Sequence, residues 1–315
     1  MEESEPVSKK IVIGLFLLLF LISPLLPSYA YDEMEVSNGG TLIGKVTLNG
    51  PKPPVRVFPL VLYPFGPFCK MISDGEGNVI VQEFIIGSGG GMQDAVVAVV
   101  DVEKGKPFPP IRPQFVSENC MFHPVDIAAS DHTYLDKEGR VHHEHPLVRV
   151  IQNHQPISVV NRDPVIHNGQ IFQNERGNII LNFPLPVSNA PRGGMIRLDP
   201  GKRIAQMICG MHEFMQSWMF SVDNPYYEMT KKDGVFKIDH LPPGRYRVIA
   251  WHPHLKPIEK EITVSADETV ELDFAFDAAT VKRPEYEQQE KFRIGPEALP
   301  HEHLTGDKEK LFIQE

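Results

Sequence analysis

Cysteine, tryptophan and positive charge are what this 315-residue sequence has least of: three Cys, two Trp, and 31 Lys and Arg against 41 Asp and Glu, a formal charge of -10. The shortage of positive charge excludes a nucleic-acid binder, because neutralising phosphates takes a basic surface that releases counterions. No long stretch keeps a helical period, which excludes a helix bundle and an alternation of strands and helices. Gly-x-Ser-x-Gly, His-Glu-x-x-His and Cys-x-x-Cys-His are all missing, and the run Gly87-Ser88-Gly89-Gly90-Gly91 stands alone, without the rest of a phosphate-binding fingerprint. With no catalytic set to rest on, the chain is not expected to be an enzyme.

What is there is turn chemistry and short apolar runs. The 29 Pro and 24 Gly punctuate a chain that is 42% apolar and 23% charged, ordinary usage for a protein with a core to bury. The length suggests about two domains. Strands are predicted at 44–48, 78–84, 94–102, 147–151, 157–161, 179–183, 195–198 and 203–208, and again at 235–238, 245–251, 258–264 and 269–276. The expected fold class is all-β, a Greek-key sandwich followed by a second, smaller β-sandwich. Boundaries are expected at 1–30 (a leader), 36–222 (the first sandwich, with insertions), 223–277 (the second) and 278–315, a charged tail.

The leader reading rests on Lys9 and Lys10, the apolar run Ile11 to Leu26 interrupted by Pro24, and Ser28-Tyr29-Ala30 before a cleavage point. The run falls short of the roughly 20 residues that span a bilayer. Cleavage after Ala30 would release a soluble protein outside the cytoplasm, periplasmic in a bacterium; a retained membrane anchor is the alternative.

In an oxidising compartment two of the three cysteines pair and one is left over. Cys209 stands in Cys209-Gly210-Met211-His212-Glu213-Phe214-Met215, among borderline and soft metal ligands, whereas Cys69 and Cys120 lie in surroundings without them. The pairing read from this is Cys69 with Cys120, worth about 4 kcal/mol for a loop of about fifty residues in the chain-entropy model. Three buried free thiols are the alternative. A thiolate, an imidazole and a thioether three residues apart, delivered at the end of a strand, suit copper or zinc. Two His, one Cys and a weak axial Met make the blue-copper electron-transfer set. The second His comes from His167, just beyond the 157–161 strand.

At these residues the sequence resembles the cupredoxins, in particular the amicyanin and plastocyanin-like branch: His167-Asn168 matches the first ligand loop and Cys-x2-His-x2-Met at 209–215 the second. The resemblance implies one type 1 copper held by His167, Cys209, His212 and Met215, with Asn168 tying the two loops together. Amicyanins usually carry Pro after the second His; Glu213 stands here, beside an imidazole edge expected to be partly exposed. Gly40 to Val46, Cys69 with Cys120, Asp233 to Ile238 and Leu241-Pro242-Pro243-Gly244-Arg245-Tyr246 extend the resemblance over about 40–276. They look like a bacterial periplasmic group, often labelled methylamine-utilisation proteins, in which a cupredoxin-like domain adjoins a carboxypeptidase-regulatory-like, or transthyretin-like, β-sandwich.

Six histidines lie between 123 and 154: His123, His132, His142, His143, His145 and His154. His142, His143 and His145 are candidates for a second, exposed metal, although a polar insertion without metal is the plainer reading. His252 and His254 flank Pro253 and are expected on a surface turn. Three functions compete: a one-electron carrier passing its electron through the His212 edge to a redox protein partner, a cytochrome or a copper or quinoprotein oxidoreductase with a basic patch; a copper-binding or delivery protein; and a β-scaffold without redox chemistry. None of the three engages nucleic acid, nor a membrane once the leader is removed.

Overall fold

Val96–Val100 is buried at every position, the signature of a strand covered on both faces. Val97 and Val99 enter one apolar core, and Val96, Ala98 and Val100 another. Gln216–Val222 is likewise buried throughout, with Met219 in a third core and Trp218, Phe220 and Val222 against the Val96 side. These two double-faced strands show how the sheets stack. The computed structural model describes residues 31–125, 133–135, 139–144, 147–175 and 177–282. The expected leader (1–30), His132, His145 and all of the expected tail beyond 282 lie outside the described residues.

The described chain is all-β. One sheet orders its strands Leu147–Gln152, Gln216–Val222, Ile204–Cys209, His167–Gln173 and Ile179–Leu185. The first pair is parallel and the rest antiparallel. Packed on it is a sheet of Ser188–Met195, Pro156–Asn161, Gln114–Glu118 and Met121–Pro124. The chain leaves the second sheet after Pro156–Asn161, makes the hairpin His167–Gln173 and Ile179–Leu185 in the first, and returns as Ser188–Met195 beside its starting strand. That is a Greek-key connection. Ile157, Val159 and Phe115 from one sheet and Ile171, Met207 and Met219 from the other fill the core between them.

Eight more strands form a second sandwich: Tyr227–Met229, Val96–Val100, Gly244–Trp251 and Ile258–Val264 in one sheet, and Val235–Leu241, Gly40–Asn49 and Thr269–Glu271 in the other, with Phe274–Asp277 also pairing with Gly40–Asn49. Two strands from before residue 223 join these sheets. Gly40–Asn49 and Val96–Val100 belong to the first segment, yet each lies between strands of the second. Val96–Val100 needs hydrogen-bonding neighbours on both edges and apolar cover on both faces, and the Tyr227–Val264 strands supply the edges. The sandwiches then meet through Trp218 and Phe220 against Trp251, with ring centroids 6.3 and 5.4 Å apart.

Several strands lie where no run of apolar residues marks them. His167–Gln173 begins at the candidate ligand itself, and the 195–198 expectation is replaced by Ser188–Met195, mostly exposed and rich in Gly and polar residues. The predicted 269–276 strand divides into Thr269–Glu271 and Phe274–Asp277. Arg56–Pro59, Asn78–Gln82, Val141–Glu144 and Thr133–Leu135 form a further small sheet. Among the described residues, no helix is long and apolar enough to cross a membrane.

Candidate metal centre

The Ile204–Cys209 strand ends at Cys209, and the chain folds back over two consecutive turns. His212 N–H donates to the Cys209 carbonyl at 3.2 Å and Met215 N–H to the His212 carbonyl at 3.0 Å, while Cys209 N–H donates to the Met215 carbonyl at 3.0 Å. Seven residues thus close on themselves, with Cys209, His212 and Met215 all buried. The neighbouring strand presents His167 at its first residue. Gly210 N–H donates to the Asn168 carbonyl at 2.9 Å, joining the two loops. A Cβ at Gly210 would meet Asn168 Oδ1 at 2.6 Å, so a side chain there would push the Asn168 amide aside. Asn168 therefore ties the loops through its backbone; its side-chain amide donates instead to Asn182 Oδ1 at 2.9 Å.

Three donor atoms face one another across this junction. Cys209 Sγ lies 3.7 Å from His167 Nδ1 and 3.6 Å from His212 Nδ1, and the two nitrogens are 3.2 Å apart. One first-row ion with bonds of about 2.0–2.1 Å to nitrogen and about 2.3 Å to sulfur spaces its donors about 3.2–3.8 Å apart at bond angles near 100–120°. The residues fit a mononuclear metal. Soft thiolate with two imidazoles is also the donor chemistry of copper or zinc rather than of a hard cation.

The outer nitrogen of each imidazole is held by a group that only accepts. His212 Nε2 donates to the Pro64 carbonyl at 2.7 Å. His167 Nε2 donates to Asp163 Oδ2 at 2.8 Å. Both bonds fix the tautomer that leaves Nδ1 facing Cys209. Asp163 is itself clamped: it accepts from Ser117 Oγ (3.1 Å), Asn119 N–H (2.6 Å) and Cys120 N–H (3.1 Å). Asn119 and Cys120 form the two-residue turn between Gln114–Glu118 and Met121–Pro124, both with positive φ, 54° and 52°. Such turns normally take Asn and Gly, so the cysteine occupies a place that costs backbone strain and is held there by Asp163 and its disulfide.

Cys69 and Cys120 are bonded to each other, and Cys209 is free. The bond pins the segment Leu60–Ile72 over the site. Within it Cys69 Sγ comes within 3.8 Å of His212 Nε2, Phe65 at φ 56° packs its ring 6.3 Å from that of His212, and Tyr63 meets Phe214 edge-on at 5.3 Å. His212 is 0% exposed and Glu213 7%. The expectation of a partly exposed His212 edge is therefore overturned: the segment 60–72, absent from the ligand motif, covers it.

Burial raises the Cys209 thiol, but hydrogen bonds and charge from His167 and His212 outweigh it and bring it down to about 6. Burial depresses His167, yet the hydrogen bond to Asp163 and the contact with Cys209 carry it up to about 9.

The other histidines go elsewhere. His142 and His143 are adjacent in a strand and so point to opposite faces. His143 Nε2 donates to the Ile72 carbonyl at 2.9 Å. His123 is buried beside Glu118 at 3.4 Å. Far from lying on a surface turn, His252 and His254 are buried. His252 Nδ1 donates to the Pro253 carbonyl at 2.9 Å; His254 reaches Glu83 at 3.0 Å and Glu175 at 3.5 Å and sits edge-on to Trp218. The Gly244–Trp251 strand carries both histidines into the space between the sandwiches, where the two carboxylates receive His254.

Asp163 and Pro64 are the contacts that motif reading passes over. Asp163 stands four residues before His167 and is visible as an acid near a ligand; Pro64, 148 residues from His212, carries no signal in sequence.

Residues 223–277 match the family model of the carboxypeptidase regulatory-like domain. Strands of this regulatory-like segment make up most of the second sandwich. No curated protein matches the chain. Among solved structures, part of the chain is similar to a copper-containing nitrite reductase from Thermus scotoductus, at 13% identity over 37% of this chain and 24% of that one, with a TM-score of 0.24. The chain thus spans about a quarter of that enzyme's length. It is also similar to a purple cupredoxin from Nitrosopumilus maritimus (17% identity, 35% of this chain, 98% of that one, TM-score 0.22). A third similarity is to a Cu(I) structure of an amicyanin variant (10% identity, 40% of this chain, 98% of that one, TM-score 0.22).

Proposed function

We propose that this chain is an exported copper protein that carries single electrons and performs no catalysis of its own. One observation carries the reading: Cys209 Sγ and the Nδ1 atoms of His167 and His212 form a buried triangle with sides of 3.2–3.7 Å. Copper held there by His167, Cys209 and His212, with Met215 buried across the loop as a further donor, would supply a Cu(I)/Cu(II) couple. Asp163 and Pro64 hold both imidazoles in one tautomer and orientation, so little has to rearrange when charge changes. The segment from Leu60 to Ile72 excludes water and any substrate from His212, which supports electron carriage over substrate chemistry and weighs against easy hand-off of the metal. The electron leaves through the His212–Pro64 hydrogen bond toward Phe65, which is 37% exposed, rather than through a bare imidazole edge. A redox protein, a cytochrome or a copper or quinoprotein oxidoreductase, is the partner, and the regulatory-like segment serves as a non-catalytic support. The leader-like first thirty residues and the Cys69–Cys120 bond support a periplasmic or otherwise extracytoplasmic location.

The test is visible absorption and EPR of the Cu(II)-loaded protein through a ferricyanide and ascorbate cycle. An intense thiolate-to-copper band with narrow hyperfine splitting, reversibly bleached and lost in Cys209→Ser, is the expected result. A pale, wide-hyperfine spectrum that survives Cys209→Ser overturns the assignment.

A further inference from the structure

We propose that opening the Cys69–Cys120 bond creates a second metal site, held by the two thiolates and the Asp163 carboxylate against the outer edge of His167, for a thiophilic ion such as Zn(II) or Cu(I). Ligand atoms of Cys120, Asp163 and His167 already lie within 4.8 Å of one another, and all three residues are buried. Cys69 supplies the second thiolate, since its Cα is 5.8 Å from that of Cys120. That separation lets two thiolates sit roughly 3.5–4 Å apart on one ion. As a disulfide neither sulfur is a ligand of any strength, because the thiolate is the metal-binding form. The bond therefore acts as a stopper.

The chemistry balances with a dithiol donor of the thiol–disulfide exchange class. Its thiolate attacks one sulfur, the Sγ–Sγ bond breaks, a mixed disulfide forms and resolves, and the donor leaves oxidised while Cys69 and Cys120 each gain a proton. Binding of the ion then releases both protons. Two thiolates and a carboxylate would be costly to bury without a cation, so the empty reduced site keeps its thiols protonated until an ion takes the place of the two protons. His167 then stands between two ions, Nδ1 toward Cys209 and Nε2 toward Asp163. The location of the first ion rests on the function proposed above; the donors of the second do not.

The experiment uses the full chain loaded with copper, divided into portions with and without a phosphine reductant under inert gas. Free thiols are counted, Zn(II) is added, unbound ion is removed, and both metals are measured. The oxidised chain is expected to hold one copper and no zinc, and the reduced chain one of each. Cys120→Ser, which keeps the backbone N–H on Asp163, is expected to hold copper and no zinc in either state. Should that variant fail to fold, Asp163→Asn keeps the disulfide and is expected to weaken zinc binding at least tenfold after reduction. Absence of zinc from a chain with all three thiols free, zinc retained by Cys120→Ser or undiminished in Asp163→Asn, or a disulfide that stays closed under the phosphine overturns the site. A chain that binds no copper through Cys209 yet gains one zinc on reduction keeps the second site and sinks the electron-carrier reading instead.

Discussion

The carbonyl oxygen of Pro64 accepts a 2.7 Å hydrogen bond from His212 Nε2, joining residues 148 apart in the chain. A carbonyl has no proton to give, so the imidazole has no choice of tautomer. The next residue, Phe65, takes a left-handed conformation that a bulky side chain rarely adopts and lays its ring toward the same histidine. One dipeptide thus both orients His212 and covers it.

Replacing Phe65 with Gly separates those two roles. Glycine relieves roughly 1 kcal/mol of backbone strain at φ 56° while removing the ring over His212. Thermal stability is expected to hold or rise. Copper loss to a chelator and oxidation by ferricyanide, followed by stopped-flow absorbance, are expected to speed up several-fold; unchanged rates would mean that Phe65 is not the cover.

Asp163→Asn removes the acceptor that fixes His167 and disturbs the anchor of the Asn119-Cys120 turn. Partners of this kind typically matter by about 10–100-fold in metal affinity. Competition with a chromophoric chelator is expected to show a loss in that range, with the thiolate-to-copper band kept because Cys209 is untouched.

The metal-free protein offers a pH test. With its thiol lowered to about 6 by His167 and His212 against the opposing effect of burial, Cys209 is a thiolate at neutral pH. Ultraviolet thiolate absorbance, taken as the difference from Cys209→Ser, is expected to appear with a midpoint near 6. A midpoint near the ordinary 9.0 would show that the three groups do not share their protons.

His252 titrates in the opposite sense to its neighbour. Burial lowers it from the ordinary 6.5 to about 4, whereas for His254 hydrogen bonds and charge from Glu175 and Glu83 outweigh burial and raise it. Between about 4 and 6.5 the unfolded chain binds the His252 proton and the folded chain does not, so its contribution is complete above 6.5 and is lost as pH falls through about 4. The raised His254 contributes fully below 6.5 and adds no slope there. Denaturant unfolding of His252→Gln is expected to show a shallower loss of stability across that window than the parent, by up to roughly 3 kcal/mol at its acid end.

The candidate ligand loop stands out in the sequence because Cys209, His212 and Met215 are close in the chain and chemically unlike their surroundings. The disulfide was readable for a similar reason: Cys209 had other company, which left Cys69 and Cys120. Strand positions were legible where valine and isoleucine cluster, as at Val96–Val100, and illegible at Ser188–Met195, where edge pairing with Pro156–Asn161 sets the conformation. Burial of His254 was missed because its partners, Glu83 and Glu175, come from distant segments, and burial of His252 because the ring it packs on, Phe84, does too. The cover over His212 was missed for the same reason: nothing in Pro64-Phe65 announces a partner 148 residues away. Local chemistry survives in one dimension, whereas contacts between segments do not.

Val96–Val100 has its hydrogen-bonding neighbours at Tyr227–Met229 and Gly244–Trp251, more than a hundred residues further on. A ribosome finishes the first of these strands long before it makes the others, so the early strand must wait, its edges unpaired, until residues 227–251 emerge. Order of synthesis and order of folding are then necessarily different, and pairings of such long range are slow to form. Any factor that shields an apolar strand during that interval would find its substrate in those five residues.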